Sequence, residues 1–511
     1  MRAVVLGDIG RAQNYHLGDE AMTEAAIAQL TARGVDQLTL AAVEPETARS
    51  FYGVPAVSQT GFAWDWPRER LEAGLARLTA ELEAGTAAGA LVEAVRSADF
   101  VLIAGGGNLT SEYPSHVFER VAFARIARFV GTPLLVTSQT VGPMLRERDR
   151  ELVREIVDDA VVFGAREAAS FELVRGLAAD EERVLRTFDD GILLESDEAS
   201  RDDLADLELG DRIVVASFAA DRGTTAWSRA DYIERVAVLL DELAVEFDAQ
   251  VVLAPHTGSF DPANVRKDHA IGLEIAAAAS DAVRALPTIT AREYLALLER
   301  AMLSVSTRYH PTVFAPQLGI PTVGISMSYY SSVRMRGALG ALGLNRFVVP
   351  AEKWDLVAHA CREAVAGDAA LLEHAAAARR AQSAWWDALV AAAQTGTWRS
   401  GRSFMPATPP EFVPEGAWST EVETVTPLFE QLMRERVLAG WRMDDAATAL
   451  RRAEERADEQ LALRSSLERR IEALASARAK LEAELDTARG RRAVRLADAV
   501  GDVARRIRRR G

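Results

Sequence analysis

A single cysteine, Cys361, stands in 511 residues, so neither an intrachain disulfide nor a cysteine-based metal cluster can form. Its setting, VAHACREAV, reads as a helix carrying a buried structural thiol. Lysine is almost as scarce, three residues against 56 arginines, an imbalance that reads as coding bias rather than function. No stretch approaches the ~18 consecutive apolar residues of a spanning helix. The opening MRAVVLGDIG is a strand pattern with no apolar run behind a basic start, which predicts a cytoplasmic protein. Net positive charge is lacking too: at -16 the chain has no basic body for phosphate backbones, which counts against nucleic acid as a partner.

What is present is apolar sequence, 49% of the chain, ample for a large core, and a length that calls for two or three domains. For about 350 residues short apolar runs alternate with helical stretches, the pattern of parallel α/β layers. AVVLGDIG, QLTLAAV, DFVLIAGGG, PLLVTSQT and AVVFGARE read as the strands of a first α/β domain, residues 1–200. The acidic stretch 193–212 reads as an interdomain linker. RIVVASFA, AQVVLAPH, LSVSTR and PTVGIS belong to a second α/β domain, residues 205–400. Two such Rossmann-like domains face to face would frame a cleft along the C-terminal ends of both sheets.

Beyond Gly401 the pattern changes. SFMPATPPEFVPEG predicts a Pro-containing linker over 401–442. Leu450, Ala453, Ala457, Leu467, Ile471, Leu474, Leu481, Leu485 and Ala488 then fall on one a/d seam, weakened by Gln460, Arg464 and Arg478. Residues 443–488 read as a helix that self-associates as a coiled coil and makes a homo-oligomer; the alternative is one charged helix in solvent. Residues 489–511 hold nine Arg and two Asp, a local +7 that leaves -23 on the remainder. This amphipathic basic tail fits peripheral contact with an anionic membrane or an acidic partner, or a solvated end.

Five short segments could carry chemistry. Gly105, Gly106, Gly107 and Asn108 follow an apolar strand, where glycines permit a sharp turn or let N–H groups line a ligand. In NYHLGDEAM, Asp19 and Glu20 occupy a helix's first turn, where the dipole favours them and where they could also bind hydroxyls or act as a base. Ser138, Gln139, Gly142 and Pro143 follow another strand. Arg166 ends a strand ahead of a helix, with Ser170 four residues on, placing it for an anion or an ordinary salt bridge. Finally, in SVSTRYHPTVF, strand alternation would put Arg308 and His310 on one side and Tyr309 on the other, with Pro311 opening a helix. His256 ends a further strand of the same domain, within reach of the same cleft.

Taken in order, GDEA, AGGGNL, SQTVGP, GARE and RYH followed by FAPQLGIPTVGI resemble the polysaccharide pyruvyl transferase family over roughly residues 3–350. The resemblance implies a glycosyltransferase-B-like pair of domains. It also implies transfer of the pyruvyl group of phosphoenolpyruvate onto two hydroxyls of a sugar as a ketal, with release of phosphate. On that footing His310 is the acid/base group, Arg308 and Arg166 hold the donor's anionic groups, and Gly105–Gly107, Asn108 and Gln139 shape the cleft. Asp19 and Glu20 match the family's acidic pair, and His256 joins the cleft. Where members carry Tyr and Lys after GI, this chain reads SMSYYSSVRMRGALG, so Arg334 or Arg336 stands in for the Lys; His16 stands where Asn is usual. The implied partners are phosphoenolpyruvate and a sugar or glycan acceptor, free or lipid-linked, with no cofactor and no metal. A nucleotide-sugar glycosyltransferase on the same architecture and a non-catalytic homologue organising polysaccharide assembly are the alternatives.

Overall fold

The computed structural model describes residues 1–205, 207–220, 223, 225–367, 369–398 and 403–509. Residues 399–402 and 510–511, where the expected second domain meets the linker and where the tail ends, lie outside the described residues. Residues 1–433 make one compact unit and 434–511 another.

The first half of the larger unit is built on nine strands: β1 (Arg2–Leu6), β2 (Tyr15–His16), β3 (Gln37–Ala42), β4 (Ala56–Ser58), β5 (Phe100–Ile103), β6 (Gly106–Leu109), β7 (Leu134–Val141), β8 (Ala160–Ala165) and β9 (Val184–Arg186). All but β2 form a parallel sheet in the order β4-β3-β1-β5-β7-β8-β9, with β6 added alongside β7. Central strands such as β5 and β7 are buried along their whole length, which is why β5 and the opening LLV of β7 read as apolar runs rather than alternating ones. Helices α1 (Leu17–Ala32) and α2 (Ala168–Arg175) follow β2 and β8.

The second half carries β10 (Ile213–Ser217), β11 (Gln250–Leu253), β12 (Thr257–Gly258), β13 (Val283–Ala285), β14 (Ala301–Ser306), β15 (Thr322–Ser326) and β16 (Val348–Pro350). Six of them form a second parallel sheet, β13-β11-β10-β14-β15-β16. Its loops feed α3 (Lys267–Ala278), α4 (Pro311–Gln317) and α5 (Tyr329–Gly340). A two-strand antiparallel ladder joins the halves: His16 of β2 faces Thr257 of β12, and Tyr15 faces Gly258. In the acidic stretch between the sheets, residues 198–205 form a helix rather than an open linker, with Leu204 buried.

Helix α6 (Leu371–Thr395) belongs to the second half by sequence but packs in the first half's core, where Trp385 and Trp386 are fully buried. Asp190 receives the Trp386 indole N–H at 2.8 Å, the Gln382 amide at 2.6 Å and the Thr137 hydroxyl at 3.0 Å. The expected linker over 401–442 is extended only as far as Gly416, because α7 (Ala417–Arg508) begins there and continues without a break. Glu363 fixes that start by accepting the backbone N–H groups of Trp418 at 2.8 Å and Ser419 at 2.9 Å, two donors with no partner inside the helix. Trp418 is fully buried beneath them. In the second unit α7 runs through both the predicted seam and the basic tail as one helix, and Leu467, Ile471, Leu474 and Leu481 are exposed along it. Among the described residues no helix is long and apolar enough to cross a membrane.

Burial pushes the Asp190 carboxyl up from 3.8 to about 7, helped by Asp189 beside it. A carboxyl raised on folding gives its full contribution below its unfolded value and loses it as pH rises through the folded one. Asp190→Asn should therefore raise the urea midpoint at pH 8, relieving no more than about 4 kcal/mol, and change it little at pH 4. An equal shift at both pH values would show that this carboxyl is charged in the folded protein throughout the range.

Candidate active site

The C-terminal ends of both sheets open onto a cleft of about 640 Å³. From the first half it is lined by Asp8, His16, Asp19, Gly107, Asn108, Tyr113 and His116. The second half supplies His256, Thr257, Lys267, Arg308, Tyr309, His310, Tyr330 and Arg334. They stand at strand ends, in the short strands β2, β6 and β12, or in the turns and helix starts just beyond, where the sheets fix their positions.

Arg308 is held rather than loose. Its Nε donates to Asp268 Oδ2 at 2.8 Å, its Nη2 to Asp268 Oδ1 at 2.5 Å and to Thr257 Oγ1 at 3.1 Å. Asp268 is itself fixed by the backbone N–H groups of Ala220 and Thr257 at 3.0 and 3.1 Å. The fork is thus pre-oriented toward the cleft, about a quarter exposed, with one carboxylate already against it.

A second cationic group forms around Gly107. Arg166 donates to Asp189 at 2.5 Å and to Thr140 at 2.7 Å, while its Nη2 is buried without a hydrogen-bond partner. Arg334 lies 3.8 Å from the Tyr330 ring centroid, and its Nε also lacks a partner. Tyr309 sits between the two guanidinium groups, 4.4 Å from Arg166 and 4.9 Å from Arg334. A Cβ on Gly107 would collide with the Tyr330 hydroxyl and the Arg334 guanidinium, so the glycine is what lets them close over the backbone. Buried donors left unpaired beside one another are costly unless an anion takes them.

His310 caps α4 with its ring buried under Gly18 of α1. Its Nε2 has no hydrogen-bond partner and lies 4.0 Å from Asp189 Oδ2. Burial, reinforced by the charge of Arg166, pulls its pKa well below the ordinary histidine value, so the imidazole is neutral near pH 7. His256 is lowered in the same way by burial and then by Arg308, and its Nε2 is unpartnered against the edge of Tyr294. His116 is lowered by burial, against the pull of Asp8 at 3.6 Å. His16 goes the other way: burial would lower it, but Asp19, with Oδ2 2.9 Å from Nδ1, raises it overall.

Several expectations need correction. Arg308 and His310 do not ride a strand, since β14 ends at Ser306; a turn places them, and Tyr309 faces the same cleft instead of turning away. Glu20 points inward, accepting the Gly10 N–H at 3.2 Å and the Tyr52 hydroxyl, and burial lifts its carboxyl to about 7. Arg336 is tied to Glu430 at 2.9 Å and does not line the cleft, whereas Arg334 does. Gly105 and Gly106 have no left-handed backbone and lead into β6; a Cβ on Gly105 would strike Met22, so close packing is their role. Gln139 lies buried below the cleft, its amide donating to the Ala104 carbonyl at 2.5 Å. Sequence reading passed over Asp8, His116, Asp268 and Asp189. Asp8 follows the first strand directly and could have been flagged, but Asp268 and Asp189 look like ordinary loop and helix-entry acids.

A family model described as polysaccharide pyruvyl transferase matches residues 16–329. No curated protein sequence matches the chain. Among solved structures, the chain is similar to a putative UDP-N-acetylglucosamine 2-epimerase from Listeria monocytogenes, with a TM-score of 0.52 at 12% identity over 81% of this chain and 100% of that one. S. aureus MnaA in its structure with UDP gives a TM-score of 0.50 at 12% identity, again over 81% of this chain and 100% of that one. At such identity the likeness is of fold alone, and it is the two-domain, glycosyltransferase-B-like arrangement.

Because Gly18 is the seat of the His310 ring, Gly18→Ala should displace that imidazole by about 1 Å or more while leaving the melting temperature within a few degrees. A crystal structure of the variant with His310 unmoved would refute the tight fit.

Proposed function

The chain belongs to the polysaccharide pyruvyl transferase family, and from that premise we propose that it transfers the pyruvyl group of phosphoenolpyruvate to two hydroxyls of a sugar in a cell-surface polysaccharide or its precursor. The product is a cyclic ketal and the leaving group is phosphate. The observation that carries this reading is the convergence of Arg308 and Arg334 on the cleft that holds a neutral His310, with the unpaired Nη2 of Arg166 buried just behind Gly107 in its wall.

Phosphoenolpyruvate carries up to three negative charges on a small frame, and planar guanidinium forks suit both its phosphate and its carboxylate. Arg308 already faces Asp268, and Arg166 faces Asp189 and Glu167, so the N–H groups still without a partner are the Nη2 of Arg166 and the Nε of Arg334. His310, uncharged at neutral pH, is the base that accepts the proton of an attacking hydroxyl. Asp8, Asn108 and Tyr113 on the opposite wall offer acceptors and donors for sugar hydroxyls. The reaction balances without a cofactor: of the two hydroxyl protons, one ends on the new methyl group and one on phosphate.

Phosphate release from phosphoenolpyruvate, followed with a panel of pyranoside acceptors, tests the reading. His310→Gln should cut turnover by ~10²-fold or more with the fold retained, and Arg308→Met should raise KM for the donor. Thermal stabilisation by a nucleoside diphosphate but not by phosphoenolpyruvate would replace this reading with nucleotide-sugar transfer.

The second unit supports a further part of the proposal: α7 pairs with a second copy along the 443–488 seam, and its basic end holds the enzyme at the cytoplasmic face of an anionic membrane. The exposed leucines and isoleucine support the first part and the arginine-rich end the second. Light scattering should give a dimer for the full chain and a monomer for the Leu467→Asp, Ile471→Asp variant. A monomeric parent would remove the pairing.

A further inference from the structure

Ketal formation needs two proton movements of opposite sense, one away from a hydroxyl and one onto the methylene carbon of the donor. A neutral His310 can do only the first at the outset. The cleft holds another histidine built for the second. His16 lies on β2, and its backbone is fixed by the ladder to Thr257 and by its place directly before α1. Its Nδ1 sits 2.9 Å from Asp19 Oδ2, which leaves the other ring nitrogen for the cleft. Its side chain is 38% exposed, whereas that of His310 is 9% exposed.

We propose that His16, ion-paired with Asp19, is the proton donor to C3 of phosphoenolpyruvate and works as the acid partner of His310. The inference rests on the pyruvyl-transfer reading and names a catalytic residue within it. The charges facing His16 support the assignment. Asp19 and Asp8 from the first half raise its affinity for a proton, Arg308 from the second half opposes them, and His256 and His310 nearby are neutral. Burial works against the charged form, yet the carboxylates prevail and His16 holds its proton above the ordinary histidine range.

The steps then close. The first hydroxyl oxygen bonds to C2 and its proton passes to His310, while the C2–C3 π pair takes the proton of His16 and makes a methyl group. Next the bond from C2 to the phosphate oxygen breaks, and the departing phosphate takes the proton from His310. The second hydroxyl oxygen bonds to C2, and its proton returns to His16. Both imidazoles end as they began.

Histidine-labelled full-length protein, titrated by NMR with and without phosphoenolpyruvate, is the first test. One imidazole, absent from His16→Gln, should titrate above the other cleft histidines, fall in Asp19→Asn, and shift when phosphoenolpyruvate binds. In the phosphate-release assay His16→Gln should lose ~10²-fold or more in turnover with little change in donor KM. It should also lose the alkaline limb of the pH profile, and Asp19→Asn should move that limb to lower pH. A His16 imidazole that titrates no higher than its neighbours, or a His16→Gln enzyme within three-fold of the parent while His310→Gln is inactive, overturns this inference and leaves pyruvyl transfer standing. A parent protein that neither binds phosphoenolpyruvate nor releases phosphate overturns both.

Discussion

The buried guanidinium of Arg166 is the constraint around which the site is arranged. Its side chain is only 1% exposed, and a lone cation at such a position would be prohibitively unfavourable. Asp189, Glu167 and Thr140 compensate it from within the first half, and the ring of Tyr309 covers it from the second. The ion pair therefore links the halves through an aromatic face as well as satisfying a charge. The adjacent carboxyls Asp189 and Asp190 face opposite ways in this arrangement. Asp189 turns to the cation, while Asp190 turns to the Trp386 indole and the Gln382 amide of α6, and burial lifts its carboxyl to about 7. One residue's rotation along the chain thus gives one carboxylate to the buried Arg166 and the other to the core around α6.

The same logic sorts the histidines. His310 and His256 are surrounded by arginines in a buried setting, and both lose their protons. His16 stands against Asp19, which raises its affinity for a proton. Imidazoles of identical intrinsic chemistry are thus shifted in opposite directions within one cleft: burial lowers all three, and at His16 the Asp19 carboxylate outweighs it. A cleft arranged in this way sets a stronger proton binder beside a weaker one, which suits a reaction that both removes and adds protons.

Much of this frame was legible beforehand. Parallel sheets announce themselves because strands buried on both faces carry short apolar runs rather than alternation, as FVLI of β5, the LLV that opens β7 and IVVA of β10 do. The residues at strand ends were legible as candidates because polar side chains stand out against such runs, and Arg308, His310, His256 and Asn108 all reach the cleft. What could not be read was direction. Glu20 and Asp19 are neighbours in one helical turn, and only the packing of Tyr52 and Gly10 decides which of them turns inward. Arg334 and Arg336 differ by two positions on a helix, about 200° apart, so one faces Tyr330 and the other Glu430. The return of α6 to the first sheet was hidden as well, because its tryptophans carry no sign of which core they enter.

The ladder between β2 and β12 has a consequence for how such a cleft can work. It is two residues long, and it is continued by the Leu17 N–H donating to the His256 carbonyl at 2.9 Å. Each backbone hydrogen bond contributes only about 1 kcal/mol net, so the ladder sets register without locking the halves. Register matters because His16 lies on one strand of the ladder and His256 immediately precedes the other. A polyanion held at once by Arg166 of one half and by Arg308 and Arg334 of the other would add charge-assisted bonds of roughly 1.5–3 kcal/mol each, more than the ladder itself supplies. Closure around a donor would then depend on the donor's own charge, with the ladder guiding His16 and His310 back to the same relative position at every turnover.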